Sequence, residues 1–226
     1  MNALFYPDAK LFKGLYFVEI LHDIHMAGSY KEFFNDYHKG ITVIDFGANC
    51  GLTAHYFREY AKKVYAVEPC SAQFEALKMN KEYNKWDNVE IFNMALAAKD
   101  GQATFYTNRT NMTAGSMENP FYNILKGGHD YDSGVQVQTT SIESFFNDNS
   151  ISSVDFMKMD IEGQEDEVIL SKGFQEVAPR IQNALIEFHN LPHDDSLQYV
   201  KQLGFYSKRL PVATVSYLFS RRDLWH

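Results

Sequence analysis

An open α/β fold, with a mostly parallel sheet and helices on both faces, is predicted by three observations. Residues 41–44, Ile-Thr-Val-Ile, form a short β-prone apolar run of the kind shown by a strand buried on both faces. The run stops at a carboxylate, Asp45, after which Gly47, Asn49 and Gly51 turn the chain into a helical stretch over residues 52–60. Similar apolar runs recur at residues 64–67, 154–159 and 183–188, separated by helical segments, which is the alternation of βαβ units. A strand-to-helix turn that holds a ligand needs positive φ and close backbone approach, which Gly allows and Asn tolerates. The turn at 45–51 is therefore read as a ligand cradle.

Taken in order, residues 1–40 are expected to form an N-terminal helical cap on a single domain spanning residues 41–226. Leu11, Leu15, Val18 and His22 share one helical face, and Ser29 followed by Glu32 reads as a capping box before Gly40. The cap would lie against the open edge of the sheet, and a homo-oligomer contact is the other use for its aromatics. The strand at 64–67 ends at Glu68, about twenty residues beyond Asp45, where a carboxylate accepts hydrogen bonds from ribose hydroxyls. Pro69 forbids further strand, and Ser71 is the expected N-cap of a helix that turns Phe74 and Leu77 inward. Residues 89–92 are the third strand. From about 99 to 140 the alternation breaks down: strands at 103–106 and 135–139 are expected to pair beside the main sheet. The polar, glycine-dotted stretch between them reads as an acceptor lid carrying Asn111, Ser116, Tyr122 and His129, or as a surface loop. A short helix at 141–146 precedes the strand that delivers Asp160, and Gly163 allows the turn into a helix at 165–170 ended by Gly173. The strand at 183–188 brings Glu187, His189 and Asn190 to the same edge. A helix at 196–203 closes at Gly204, residues 205–207 and 214–220 pair as an antiparallel hairpin, and Arg221 and Arg222 are expected in solvent.

Composition narrows the function. The chain has 226 residues, 45% hydrophobic and 22% charged, ordinary for a soluble globular domain, with a formal net charge of -8. A polyanion as main partner is disfavoured, because nucleic-acid binding rests on clustered Lys and Arg. Two cysteines, Cys50 and Cys70, are too few for a disulfide framework and suit a reducing cytoplasm. No apolar run approaches the length of a membrane span, and no signal peptide is visible.

Charge also separates candidate cofactors. The D-x-G-x-N-x-G pattern differs from the dinucleotide fingerprint G-x-G-x-x-G. A pyrophosphate wants bare backbone N–H groups and no nearby anion, whereas a sulfonium with an ammonium welcomes acidic walls. Asp45, Glu68, Asp160 and Glu162 all fall at strand ends on one edge, which favours S-adenosylmethionine over NAD. Asp45-Phe-Gly-Ala-Asn-Cys-Gly51, Val67-Glu-Pro69 and Lys158-Met-Asp-Ile-Glu-Gly163 with Glu165, in that order, resemble the FkbM family of S-adenosylmethionine-dependent methyltransferases over about residues 41–190. The resemblance implies a class I, Rossmann-like fold with seven strands, a terminal antiparallel hairpin and O-methylation of a hydroxyl on a small molecule, sugar or glycan. It also implies that Asn93, Met94 and Ala95 lie by the adenine. Asp45, Gly47, Asn49, Gly51 and Glu68 would then hold the cofactor, together with Asp160.

Methyl transfer is an in-line displacement, so the protein must hold the acceptor oxygen behind the methyl group and exclude water. His189, with an unperturbed pKa near neutrality, is the first choice as general base, with Asp160 and Glu187 beside it. Asp160 with Glu187 or Asn190 could alternatively hold Mg²⁺ or Ca²⁺, but no spacing marks a metal site and none is assigned. Glu162, Asn190, Asn111 and Ser116 are expected to face the acceptor. A rival reading is a non-catalytic scaffold or sensor built on the cofactor fold.

Overall fold

The computed structural model describes residues 40–107, 115–117, 134–210 and 215–223. The expected cap at residues 1–40 falls outside these except for Gly40, as do Asn111, Tyr122 and His129 of the expected lid. Ser116 is described in its backbone alone.

Seven strands form the main sheet in the order β10-β11-β9-β8-β1-β2-β3. They are β1 (Ile41–Phe46), β2 (Ala61–Val67), β3 (Val89–Phe92), β8 (Phe156–Met159), β9 (Asn183–Glu187), β10 (Tyr206–Arg209) and β11 (Ser216–Ser220). All neighbours pair in parallel except across β11, which runs antiparallel to both β9 and β10. This is the expected class I methyltransferase order, with its terminal hairpin. β1 lies between β2 and β8, where successive strands begin to add in opposite directions, and such switch points open a crevice at the carboxyl ends of the strands.

The period of two in β1 divides the core. Ile44 and Phe46 pack with Met157, Met159 and Ile186 against Phe145, Phe146 and Phe174 on one face. Ile41 and Val43 pack with Val64, Ala66 and Phe156 against Phe57, Leu77 and Trp86 on the other. Asp45 and Lys158 share parity with Val43 and Phe156, so two charged groups enter an otherwise apolar layer at its upper end.

Helices α1 (Leu52–Phe57), α2 (Ser71–Tyr83), α3 (Ile142–Asp148), α4 (Glu165–Ile169), α5 (Lys172–Val177) and α6 (Asp194–Gln202) cover the faces. Several boundaries differ from expectation. The N-cap of α2 is Cys70, not Ser71, and its buried face is Gln73, Ala76, Leu77 and Asn80, with Phe74 partly buried. Gly173 does not end a helix; it lies inside α5, whose true cap is Ser171, accepting from Phe174 N. Ser141 caps α3 in the same way through Ser144 N. A second sheet, in the order β4-β7-β5-β6, joins β4 (Ala95–Leu96), β5 (Gly101–Thr107), β6 (Gly115–Ser116) and β7 (Val135–Thr140). The expected pairing of β5 with β7 is antiparallel, but the pair belongs to this separate sheet.

Arg221, expected in solvent, is instead a clamp. Its guanidinium donates to the carbonyls of Ile181, Leu203 and Ala178 and lies 4.0 Å over the Phe205 ring. It thereby ties the turn before β9 to the end of α6. Its partners are backbone carbonyls, which no sequence pattern announces.

Candidate active site

The turn after β1 is held by backbone. Gly47 N and Ala48 N both donate to Val67 O at 3.0 Å. Gly47 has φ +80, and a Cβ there would lie 1.8 Å from the Asp160 carbonyl oxygen, so only glycine lets the ends of β1 and β8 meet. Gly51, also left-handed, is packed rather than open: a Cβ would meet Leu77 at 2.5 Å and Trp86 at 3.1 Å. Asn49 takes φ 51 and accepts Cys50 N on its own Oδ1 at 2.7 Å.

Glu68 closes this loop from the end of β2. Its two carboxylate oxygens accept Asn49 N at 2.8 Å and Cys70 N at 2.9 Å. Burial pushes its pKa up to about 7, with the two backbone donors pulling the other way. Asn93 Nδ2 donates to the carbonyls of Glu68 and Pro69, so its side chain braces the same loop. Ala95, expected by the adenine, is buried among Cys70, Phe105 and Val137. Glu68 joins Asn49 and Cys70, and a carboxylate accepting two N–H groups keeps lone pairs for further donors.

Asp45 is fully buried and, among the described residues, no group donates a hydrogen bond to either of its oxygens. Its pKa is raised, first by burial. Lys158 Nζ stands 3.6 Å from it, but bonds Gly47 O at 3.1 Å and pairs with Asp160 at 3.1 Å. Lys158 was missed as a functional candidate, although a lone Lys in the apolar run Phe-Met-Lys-Met demands a partner and so could have been found. An orphaned buried acid beside a glycine turn, with Glu68 at the next strand end, fits a cationic adenosine cofactor.

Across the crevice, Asp160, Glu162, Glu187 and His189 are brought together as expected. His189 Nδ1 lies 2.9 Å from Glu165 Oε1, and Nε2 faces Asp160 at 3.7 Å, Glu162 at 3.6 Å and Glu187 at 3.6 Å. Glu165 is wholly buried and accepts Ile161 N and Gly163 N as well, which locks the turn and the imidazole to one carboxylate. Asn190 Nδ2 donates to Gly163 O at 2.7 Å, so it braces this turn. Glu162 sits at φ 58, outside ordinary helix or strand.

Electrostatics alter the role of His189. Burial alone would lower its pKa, but the Glu165 bond and the charges of Glu162, Glu165 and Asp160 outweigh it and lift the pKa to about 10. At neutral pH the ring is an imidazolium and cannot take a proton, contrary to the expectation of a neutral base. Burial and the neighbouring carboxylates raise Glu162 to about 8 and also raise Glu187.

The Methyltransferase FkbM domain family profile matches residues 45–206. Among solved structures the chain is similar to SMU.1697c from Streptococcus mutans in complex with SAH, at 12% identity, covering 90% of this chain and 96% of that one, TM-score 0.51. It is similar to an rRNA methylase from Streptococcus thermophilus, at 12% identity, with 87% and 93% coverage and TM-score 0.50. The METTL16 MTase domain is a third, at 11% identity, with 90% and 68% coverage and TM-score 0.51. These likenesses concern the fold. A search of curated proteins found no match. Among the described residues no helix is long and apolar enough to cross a membrane. With its glycine turn, its acidic strand ends and a family profile covering most of its length, the chain belongs to the FkbM family of S-adenosylmethionine-dependent methyltransferases.

Proposed function

We propose that the protein transfers a methyl group to a hydroxyl of a small molecule, sugar or glycan in the cytoplasm. The observation that carries this reading is the position of Asp160. Its backbone touches the cofactor turn through Gly47, and its carboxylate faces His189. One residue thus joins the place where the cofactor would lie to the place where an acceptor would be held. S-adenosylmethionine supplies the electrophilic methyl group when bound. Asp160 and Glu187 then take the role first given to His189: one carboxylate accepts the hydroxyl proton as the new O–C bond forms. His189, cationic and anchored by Glu165, keeps the carboxylates spaced and oriented. Asn190 supports them through Gly163. The acidic edge and net charge of -8 disfavour a nucleic-acid acceptor.

A panel of hydroxylated glycans and secondary metabolites, assayed for S-adenosylhomocysteine release, tests the reading. Asp160→Asn is expected to lower kcat on any accepted substrate at least a hundredfold, with a smaller fall, about tenfold or less, in calorimetric affinity for S-adenosylmethionine because Asp160 also borders the cofactor turn. Turnover on amines but no hydroxyl compound would overturn O-methylation. Full activity in Asp160→Asn would remove it from the chemistry.

A further inference from the structure

We propose that Asp160, Glu162 and His189 form a binding site for one divalent transition-metal ion, with Glu187 as a fourth donor at its rim. One ligand atom from each of the first three lies within 4.8 Å of the others. His189 Nε2 is nearly equidistant from three carboxylate oxygens, at 3.7, 3.6 and 3.6 Å. These distances are too long for good hydrogen bonds, so Nε2 is aimed into the cluster without closing on any one acceptor. A bare imidazolium would gain most by approaching a single carboxylate to about 2.8 Å. Near-equal spacing is instead what donors show around a common centre. Donors roughly 2.1 Å from an ion lie about 3.0–3.5 Å apart, so the histidine-to-carboxylate distances need to contract by only a few tenths of an ångström, and the carboxylates, now within 4.8 Å of one another, would draw in around the ion.

The other ring nitrogen supports this. Nδ1 is held at 2.9 Å by Glu165, itself buried and pinned by Ile161 N and Gly163 N. A carboxylate behind the imidazole is the usual second partner of a metal-bound histidine, holding the Nδ1 proton so that Nε2 becomes a ligand when the ion displaces its proton.

A separate observation points to a shortage of positive charge on this edge. The Asp45 carboxylate is fully buried and, among the described residues, accepts no hydrogen bond, and Lys158 beside it is drawn toward Asp160 and Gly47 O. Among the described residues, Lys158 and His189 act on six carboxyl groups: Asp45, Glu68, Asp160, Glu162, Glu165 and Glu187. A divalent ion at His189 would release Lys158 toward Asp45.

The ligand chemistry selects the ion. Oxygen-only sets suit Mg²⁺ and Ca²⁺, whereas a histidine with carboxylates suits the series from Mn²⁺ to Zn²⁺. The hard cations considered for Asp160 from the sequence give way to this softer class once the imidazole is placed in the set. Use of the ion to hold an acceptor oxygen rests on the proposed O-methyl transfer; the site itself does not.

The chelator-treated 226-residue chain would be titrated with Mn²⁺ and followed by the loss of the free-ion EPR signal. One Mn²⁺ per chain is expected, with affinity at least tenfold lower in His189→Gln and in Glu162→Gln, and with Mg²⁺ at equal concentration a weak competitor. Pulsed EPR of the wild type should show ¹⁴N coupling from one imidazole, a readout that stands even where a variant fails to fold. Absence of saturable binding, absence of nitrogen coupling, or equal affinity in a folded His189→Gln protein would overturn the site. Mn²⁺ binding without methyl transfer to any hydroxyl would leave the site standing and overturn the O-methyl reading. Methyl transfer that persists under chelation, with no Mn²⁺ bound by the protein, would overturn the site alone.

Discussion

The two sides of the crevice are built by different means. On the β1–β2 side the turn is held by main-chain groups: Gly47 N and Ala48 N on Val67 O, and Asn49 N and Cys70 N on Glu68. On the β8–β9 side the geometry is set by side chains converging on His189 from Asp160, Glu162, Glu165 and Glu187. A cradle of main-chain donors tolerates almost no change in shape, and its dependence on charge is confined to the buried carboxyls of Glu68 and Asp45. A side-chain cluster tolerates changes in shape but depends on every charge in it. Cofactor recognition suits the first and an acceptor or ion suits the second.

Gly47 is where the two sides touch, so substituting it should produce the largest effect and blur the distinction. Gly47→Ala would place a methyl group 1.8 Å from the Asp160 carbonyl oxygen and force alanine into positive φ. A loss of about 3 kcal/mol or more is expected, from overpacking and backbone strain together. Urea denaturation measures it, and calorimetry on whatever remains folded should show cofactor affinity down at least a hundredfold. A stability within 1 kcal/mol of wild type would mean that the strands can part, and that the cradle is not rigid.

The cradle was far more legible in the sequence than the cluster, for a physical reason. Asp45, Gly47, Asn49 and Gly51 act within one turn, so their spacing in the chain is their spacing in space. Glu165 and His189 are 24 residues apart and meet only because β8 and β9 pair in parallel, so the sequence could place His189 at the edge without revealing the carboxylate that ionises it. The same limit applies to Asn190, whose partner is the carbonyl of Gly163. Residue type exposed Lys158 in principle, since a charge in a buried strand requires compensation, but not which of its neighbours would supply it. The alternation of strands and helices was readable from periodicity, and the class of the sheet from the family resemblance. The separate second sheet was not, because β4 is only two residues long and pairs with β7 across more than forty residues.

pH should separate the two sides next. Glu68 has its pKa raised to about 7 from an ordinary 4.5, so the folded state holds a proton that the unfolded state has released between these values. Stability therefore falls as pH rises from 4.5 to 7, by about 3 kcal/mol at most, and is flat in this group above that. His189, raised from 6.5 to about 10, stabilises fully below 6.5 and loses that contribution as pH rises toward 10. Glu68 and His189 both weaken the fold with alkalinity in adjoining windows, while Glu162, raised from 4.5 to about 8, adds a loss across the first of them that either single variant retains. Urea titrations across pH should show that Glu68→Gln flattens the profile mainly below 7 and His189→Gln mainly above it. If one substitution flattens both windows, the two sides titrate as a single network and the contrast between cradle and cluster is lost.

The smallest effect is the most discriminating, because each side contains one non-glycine residue in the left-handed region: Asn49 at φ 51 and Glu162 at φ 58. Glycine relieves that conformation in either place. In the cradle the relief is offset, since Asn49→Gly loses the Oδ1 bond to Cys50 N, and the net change should be within about 0.5 kcal/mol. In the cluster Glu162→Gly gives up the 3.6 Å pairing with His189, but it also removes a carboxyl whose pKa burial lifts to about 8 and which at pH 9 is ionised beside Glu187. The variant should be more stable than wild type by about 1 kcal/mol at pH 9, less so at pH 6, and should bind Mn²⁺ poorly. Thermal melts at the two pH values measure both changes. A destabilised Glu162→Gly would show that the carboxylate supports the fold; a stabilised one that no longer binds the ion would show that its left-handed backbone and crowded charge are kept for the site.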